Sequence, residues 1–323
     1  MTAPEDKNKD SPRDAPTLQP ARPKDGSTTP PTRLQDQPTL PSRPRDFDTI
    51  PPGAEGGQAL YLRLMTEQMT GWDDPRAMLE RALKENLFLL LAQRILPLKT
   101  GTPDPLCYEV LLRLKQEEDH LLPPGGFFDV AESLGMMAKI DRWVVRAVLG
   151  WCAARGKKDP SKPLPMMCIN LSAAALKSSS FLAAVQDEIK QAGISPRVLC
   201  FEISERDALE HPVAARTFIS ALKPLGCRFT LDGFGSAKVS FAHLNELPVD
   251  FIKIDGVIIE SMLQGALGPA TVKAINMVCK EVGIRTIAEF VENKETLTKL
   301  REIGVDYVQG FGIARPEPIA KAA

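Results

Sequence analysis

The sequence predicts an α/β fold, and within that class a (β/α)8-type barrel. Three observations carry this. After Asn86, short apolar β runs and amphipathic helices alternate to the end of the chain. Four helices end beside a glycine and pass at once into a β run, at Ala192-Gly193-Ile194, Leu225-Gly226-Cys227, Val282-Gly283-Ile284 and Ile303-Gly304-Val305. A glycine just past a helix takes the left-handed conformation cheaply and turns the chain back along the helix. Finally, the β runs number eight, which suits a closed parallel barrel; a doubly wound open sheet is the alternative.

Taken in order, residues 1–52 hold 12 of the 28 prolines of this 323-residue chain and almost no aromatics. Such a segment buries too little apolar surface to offset its ordering entropy, so a disordered N-terminal tail is expected. Its loose echo, Pro16-Thr17-Leu18 and Pro38-Thr39-Leu40 each followed by Arg-Pro and a basic-acidic pair, suits a protein partner docking on an extended segment, or simple low complexity. Residues 53–78 read as a helical linker, with Asp73-Asp74-Pro75 supplying an N-cap and a proline at the first helical position. It either packs on the following domain or mediates self-association.

The barrel domain is expected over 79–318, with 319–323 a C-terminal tail. Strands are predicted at Phe88–Ile95, Leu106–Leu114, Met167–Leu171, Val198–Ser204, Cys227–Asp232, Phe251–Asp255, Arg285–Glu289 and Asp306–Gln309. Helices are predicted at Phe127–Leu134, Ile140–Arg155, Phe181–Ala192, Ala214–Leu222, Thr271–Val282 and Glu295–Ile303. In the fifth of these, Val272, Ile275, Val278, Cys279 and Val282 make one apolar stripe.

Composition removes several function classes. Forty basic against 41 acidic side chains leave a net charge of −1, with no field to draw nucleic acid or an anionic membrane. The longest apolar run, Leu87 to Ala92, is far short of the ~20 residues of a spanning helix, so no membrane insertion is expected. The polar, proline-dense N-terminus lacks a signal peptide, and a soluble cytoplasmic protein is the expectation. The six cysteines form no CxxC pair and lie in apolar contexts, which suits buried free thiols.

The β runs end in a set of polar residues: Glu109, Asn170, Glu202, Asp232, Lys253, Glu289 and Gln309. Burying an unpaired charge at a strand end is costly, so seven such ends point to one shared site at the mouth of the barrel. Carboxylates with an amide oxygen are hard ligands suited to Mg²⁺ or Mn²⁺, and the absence of His and Cys among them argues against zinc. Lys253 shares a strand face with Phe251 and Asp255, so it can enter the barrel and offset developing phosphorane charge. The spacing alone fits an enolase-type enzyme as well as a phosphodiesterase.

The motifs then become specific. Glu109-Val110-Leu111-Leu112-Arg113, Ile169-Asn170-Leu171-Ser172, Phe201-Glu202-Ile203-Ser204-Glu205, Lys253-Ile254-Asp255, Ala288-Glu289-Phe290-Val291-Glu292 and Gln309-Gly310-Phe311 occur in one order. In these motifs the chain resembles the EAL domain family, bacterial enzymes that hydrolyse cyclic di-GMP to the linear dinucleotide. The resemblance implies a modified TIM-type barrel with one antiparallel strand, the first. It implies Glu109, Asn170, Glu202 and Asp232 as metal ligands, Lys253 against the attacking water, and Glu289 at the second metal and the base. Glu205 would hold the loop after Asp232. Gln93, Arg113, Glu292 and Gln309 would shape the nucleotide pocket, and a homodimer is expected.

One stretch departs from the family pattern. Where a second aspartate and a closing glycine are usual, this chain has Asp232-Gly233-Phe234-Gly235-Ser236-Ala237, and Phe290 replaces a glycine beside Glu289. Gly233 offers no ligand. Two readings follow: a weakened metal-dependent phosphodiesterase, or a catalytically inactive cyclic di-GMP receptor acting through protein contacts.

Overall fold

A computed structural model describes residues 72–99, 107–115, 121–122, 124–236, 241, 244 and 246–322. The tail expected over 1–52, the linker before Trp72 and Ala237 lie outside the described residues. The described residues all fall within one unit, Glu55–Ala323.

Helix α1 (Pro75–Glu85) starts as its residues dictate, with the Asp74 carboxylate accepting from the Ala77 N–H at 3.0 Å and Pro75 in the first position. Strands β1 (Phe88–Pro97) and β2 (Cys107–Lys115) then pair antiparallel, from Phe88 opposite Leu114 to Ile95 opposite Cys107. After the short β3 (Leu121–Leu122) come α2 (Phe128–Ser133) and the 22-residue α3 (Met137–Lys158). Strands β4 (Met166–Leu171), β5 (Leu199–Ser204), β6 (Arg228–Phe234), β7 (Phe251–Ile254), β8 (Arg285–Ala288) and β9 (Tyr307–Val308) run parallel to one another, and β4 runs parallel to β2. Strand β1 closes the ring, antiparallel to β2 on one side and to β9 on the other. The result is the expected eight-strand barrel with its first strand reversed, and the open sheet is excluded. A two-residue β10 (Glu317–Pro318) pairs antiparallel with β1 at Leu91 and Ala92.

Three short helices escaped the sequence reading: α4 (Ala173–Leu176), α6 (Glu205–Glu210) and α8 (Gly256–Glu260). They are too short to show a 3.6-residue period, yet each is capped by the side chain just before it, Ser172, Ser204 or Asp255. The longer helices α5 (Ser179–Ala192), α7 (Pro212–Leu222), α9 (Leu267–Glu281) and α10 (Lys294–Ile303) are those the sequence predicted. Helices α5 and α10 end in Gly193 and Gly304 at φ 63° and 82°. On α9 the stripe is narrower than expected: Val272, Ile275 and Cys279 are buried, whereas Val282 at the C-cap is exposed.

The strands separate two apolar clusters. The larger lies between barrel and helices; the smaller, Ile95, Cys107, Met166, Cys168, Cys200, Phe251, Ile287 and Tyr307, fills the lumen. All six cysteines are free and buried, as their contexts implied. Because side chains alternate across a strand, the lumen position one pleat higher lies two residues on. From Cys107, Cys168, Cys200, Phe251, Ile287 and Tyr307 that step leads to Glu109, Asn170, Glu202, Lys253, Glu289 and Gln309. On the reversed strand β1 the step runs backward, from Ile95 to Gln93. A single level of the barrel thereby changes from apolar floor to polar mouth.

Candidate active site

The mouth is organised around Lys253, the third residue of β7, which is 1% exposed. Its Nζ lies 3.1 Å from Glu109 Oε2, 3.2 Å from Glu202 Oε2, 3.4 Å from Asp232 Oδ1 and 3.0 Å from Glu289 Oε1. Four carboxylates thus face one ammonium. An uncompensated cluster of like charge at this depth would be forced to neutralise. Burial opposes the charge on Lys253, but the four carboxylates outweigh it and hold the ammonium well above the usual lysine range.

The carboxylates respond differently. Burial pushes Glu109 up, yet Lys253 and the donors Gln309 and Asn170 outweigh that and keep it below its ordinary value. Glu202 is driven well up by burial, partly relieved by Lys253 and reinforced by the charges of Glu109 and Asp232. Burial, against the pull of Lys253 and with the repulsion of Asp232, raises Glu289 to about 7. A group balanced there can accept a proton near neutral pH.

The amides complete the wall. Asn170 Nδ2 donates to Glu109 Oε1 at 2.8 Å, and Gln309 Nε2 donates to Glu109 Oε2 at 2.6 Å and to Gln93 Oε1 at 3.1 Å. Gln93 in turn donates to the Ala314 carbonyl at 3.0 Å, tying β1 to the segment after β9. Glu205, the first residue of α6, accepts the Gly235 N–H at 3.0 Å, so it holds the turn that follows Asp232.

One expectation needs correction. The polar residues do not all end their strands: Glu109 is third of nine in β2, which continues because its antiparallel partner β1 continues alongside. Glu202 and Lys253 also have strand residues beyond them. What these groups share is a level in the lumen. In addition, Arg113 and Glu292 stand apart from the cluster. Arg113 is half-buried and donates to the Leu112 carbonyl, and Glu292 is exposed on the turn after β8.

Does this donor set fit a divalent cation? Among the described residues no three His, Cys, Asp or Glu groups already enclose an ion-sized position. Lys253 occupies the centre instead. The donors are nevertheless hard oxygens, and Glu202 Oε1 and Asp232 Oδ1 are buried without a hydrogen bond. Glu202 Oε1 is left without a partner and Asp232 Oδ1 has only its 3.4 Å ion pair to Lys253, oxygens that a cation would satisfy, so the residues fit such an ion.

The departure from the usual pattern is visible in the backbone. Gly233 has φ 67°, and a Cβ there would meet nothing within 4 Å except Asp255 Oδ2 at 3.9 Å. There is room for a side chain and none is present. Phe290 also has a left-handed backbone, φ 51°, unusual for a bulky residue, and is 58% exposed. Its ring lies over Gly256, where a Cβ would collide with it.

A closed α/β barrel with one reversed strand, whose mouth sets four carboxylates around a lysine and two amides on one of those carboxylates, defines the fold and site to be compared with known proteins. The chain belongs to the EAL domain family, whose profile it matches over residues 76–316. It is 35% identical over 240 residues to the cyclic di-GMP phosphodiesterase PdeB of Shewanella oneidensis and 33% identical over 241 residues to the cyclic di-GMP phosphodiesterase PdeF of Escherichia coli. Those matches take in 74% and 75% of this chain but 28% and 31% of the relatives, so the chain spans under a third of their length. Among solved structures, it is similar to the FimX EAL domain from Pseudomonas aeruginosa bound to c-di-GMP, with 31% identity and a TM-score of 0.70. That match covers 76% of this chain and 96% of the other. It is also similar to the PaMucR phosphodiesterase in complex with c-di-GMP, with 25% identity and a TM-score of 0.69, covering 77% and 99%. No helix among the described residues is long and apolar enough to cross a membrane.

One buried acid behind the site was not anticipated from the sequence, and one expected strand residue is placed differently. Asp141 on α3 is buried and bonded to Ser172, and Asp255, expected on the strand face of Lys253, lies beyond β7, where it caps α8 and faces the empty space at Gly233. An acid on the apolar face of a helix, as in Ile140-Asp141-Arg142-Trp143-Val144, was the available signal for the first.

Proposed function

We propose that this domain binds cyclic di-GMP at the acidic mouth and hydrolyses it to the linear dinucleotide, at a rate reduced by the missing carboxylate at Gly233. The observation that carries the reading is the convergence of Glu109, Glu202, Asp232 and Glu289 on Lys253, with carboxylate oxygens left free of hydrogen bonds. Glu109, Asn170, Glu202 and Asp232 would hold Mg²⁺ or Mn²⁺. When bound, such an ion supplies an acidified water and draws charge from the phosphoryl oxygens.

The chain's own groups then divide the work. Glu289, raised to about 7, takes a proton from the attacking water as its oxygen bonds to phosphorus; the P–O3′ bond breaks, and the departing O3′ keeps the bonding pair and takes a proton from solvent to become the 3′-hydroxyl. Lys253 offsets the negative charge that develops on the phosphoryl oxygens. Glu205 fixes the Gly235 turn beside Asp232. Gln93, Gln309, Arg113 and Glu292 border the nucleotide; the first two brace the Glu109 wall, and the last two stand outside the carboxylate cluster.

Gly233 favours a second reading, a receptor that binds cyclic di-GMP without turnover. In that reading the signal passes to a protein partner of the Pro-rich tail or through a homodimer, in the cytoplasm where the nucleotide acts. Incubating purified protein with cyclic di-GMP and excess Mn²⁺ or Mg²⁺ separates the two by chromatography for the linear dinucleotide. Product formation supports the enzyme. Calorimetric binding without product leaves only the receptor, and no binding removes both.

A further inference from the structure

The geometry points to Asp141 as the positioning residue for Asn170, acting from the outer helix layer through Ser172. This rests on the reading above, in which Asn170 is a ligand of the site. Asp141 is 6% exposed and sits on the buried face of α3 among Ile140, Val144 and Val145. Both of its hydrogen bonds go to one residue: Oδ2 accepts the Ser172 N–H at 2.9 Å and the Ser172 hydroxyl at 2.6 Å. The same hydroxyl accepts the Ala175 N–H at 3.2 Å and so caps α4.

Ser172 is therefore fixed to α3, to α4 and, through the chain, to β4. It is the first residue beyond that strand, and Asn170 lies two residues earlier. Between them, Leu171 is buried against the helix layer, so the peptide from Asn170 to Ser172 has little freedom to rotate. Asn170 uses its amide N–H on Glu109, which leaves Oδ1 for a ligand. The direction of that oxygen depends on the strand end that Ser172 pins.

An apolar side chain would suit the neighbours of position 141 better. Burial without a cation raises the Asp141 carboxyl to about 6 in spite of both Ser172 bonds. The carboxylate adds one thing to this helix face, a double acceptor for Ser172. Groups that orient metal ligands from behind typically matter by about 10 to 100-fold in metal affinity.

The test uses the full chain, with Mn²⁺ binding followed by the free-ion electron paramagnetic resonance signal and the Asn170 side-chain amide followed in [¹⁵N]asparagine-labelled protein. Asn170→Ala assigns the resonance. Asp141→Ala is expected to weaken Mn²⁺ binding about 10-fold and to move the Asn170 amide resonance, and Asp141→Asn, which keeps an acceptor, to weaken it by less than about threefold. The double variant Asp141→Ala/Asn170→Ala is expected to bind no more weakly than Asn170→Ala alone, because one residue acts through the other. Losses that add in the double variant, or an unmoved Asn170 resonance in Asp141→Ala, would overturn the proposal. Should Asp141→Ala not fold, Asp141→Asn and Ser172→Ala carry the same measurements. Absence of Mn²⁺ binding by the unaltered protein would remove the proposed function, and the Asn170 resonance would still decide whether Asp141 positions it.

Discussion

The two sides of the barrel mouth are built to different standards. On the β2, β4 and β5 side, Glu109, Asn170 and Glu202 project from regular strands in continuous parallel register, and Glu109 alone accepts from three side chains. On the β6, β7 and β8 side the register shifts between Leu231 and Phe234, Gly233 and Gly235 have positive φ, and Glu289 is followed by the left-handed Phe290. The first side fixes Glu109 by two amides as well as by Lys253, whereas Glu202, Asp232 and Glu289 are held mainly through the charge of Lys253. On the function proposed above, the missing carboxylate at Gly233 falls on the second side and leaves Glu109 and its amides intact, so binding would outlast fast turnover.

Removing the shared cation should have the largest effect on that contrast. Lys253→Met leaves four facing carboxylates without their ammonium, and breaking a buried pair in this way costs about 3–5 kcal/mol. Denaturant unfolding of the metal-free variant should show that loss, and Mn²⁺ should restore much of it. An unchanged midpoint would mean the carboxylates do not depend on Lys253.

The next effect is on pH. Glu289 is raised from 4.5 to about 7 and Glu202 is raised as well, so the folded protein keeps protons that the unfolded chain has released. Stability then falls as pH rises from about 4.5 toward about 7, the opposite of a salt-bridged carboxylate. Thermal melts in chelator at pH 5 and 7.5 should show the higher midpoint at pH 5, and Mn²⁺ should narrow the gap by stabilising the ionised forms.

Smaller still is the contribution of the turn. Glu205→Gln retains an acceptor for the Gly235 N–H but gives up its charge, and should cost about 1 kcal/mol or less of stability. Phe290→Gly should change stability least, by under about 1 kcal/mol, because relief of the left-handed backbone opposes the loss of the ring's contact with Gly256. A drop of several kcal/mol in denaturant would show the ring to be part of the core.

Much of this architecture was legible in the residues, for reasons that also explain what was not. Apolar runs and glycine helix ends carry strand and helix order, so the barrel could be read. A period of two has no direction, and nothing in Phe88–Pro97 itself announces a reversed strand; that came from the family resemblance. Polar residues inside apolar runs identify the mouth because their burial is costly, but the alternation does not tell which residue of a run lies at the common level. Glu109 is the example, read as a strand end and found mid-strand. Asp141 stayed hidden because its partner Ser172 is 31 residues away and joins it only in the folded barrel. Arg113 and Glu292 were assigned by likeness to relatives, and their contacts here give no independent support.

The most direct test of the central claim restores what the weaker side lacks. Gly233→Asp is sterically open, and aspartate tolerates the left-handed backbone at this position better than most residues. Turnover of cyclic di-GMP in excess Mn²⁺, measured for both proteins by chromatography of the linear dinucleotide, should be detectable in the unaltered protein and about 10 to 100-fold faster in the variant. Equal rates, or no product from either protein, would contradict the account of a hydrolytic site slowed by one missing carboxylate.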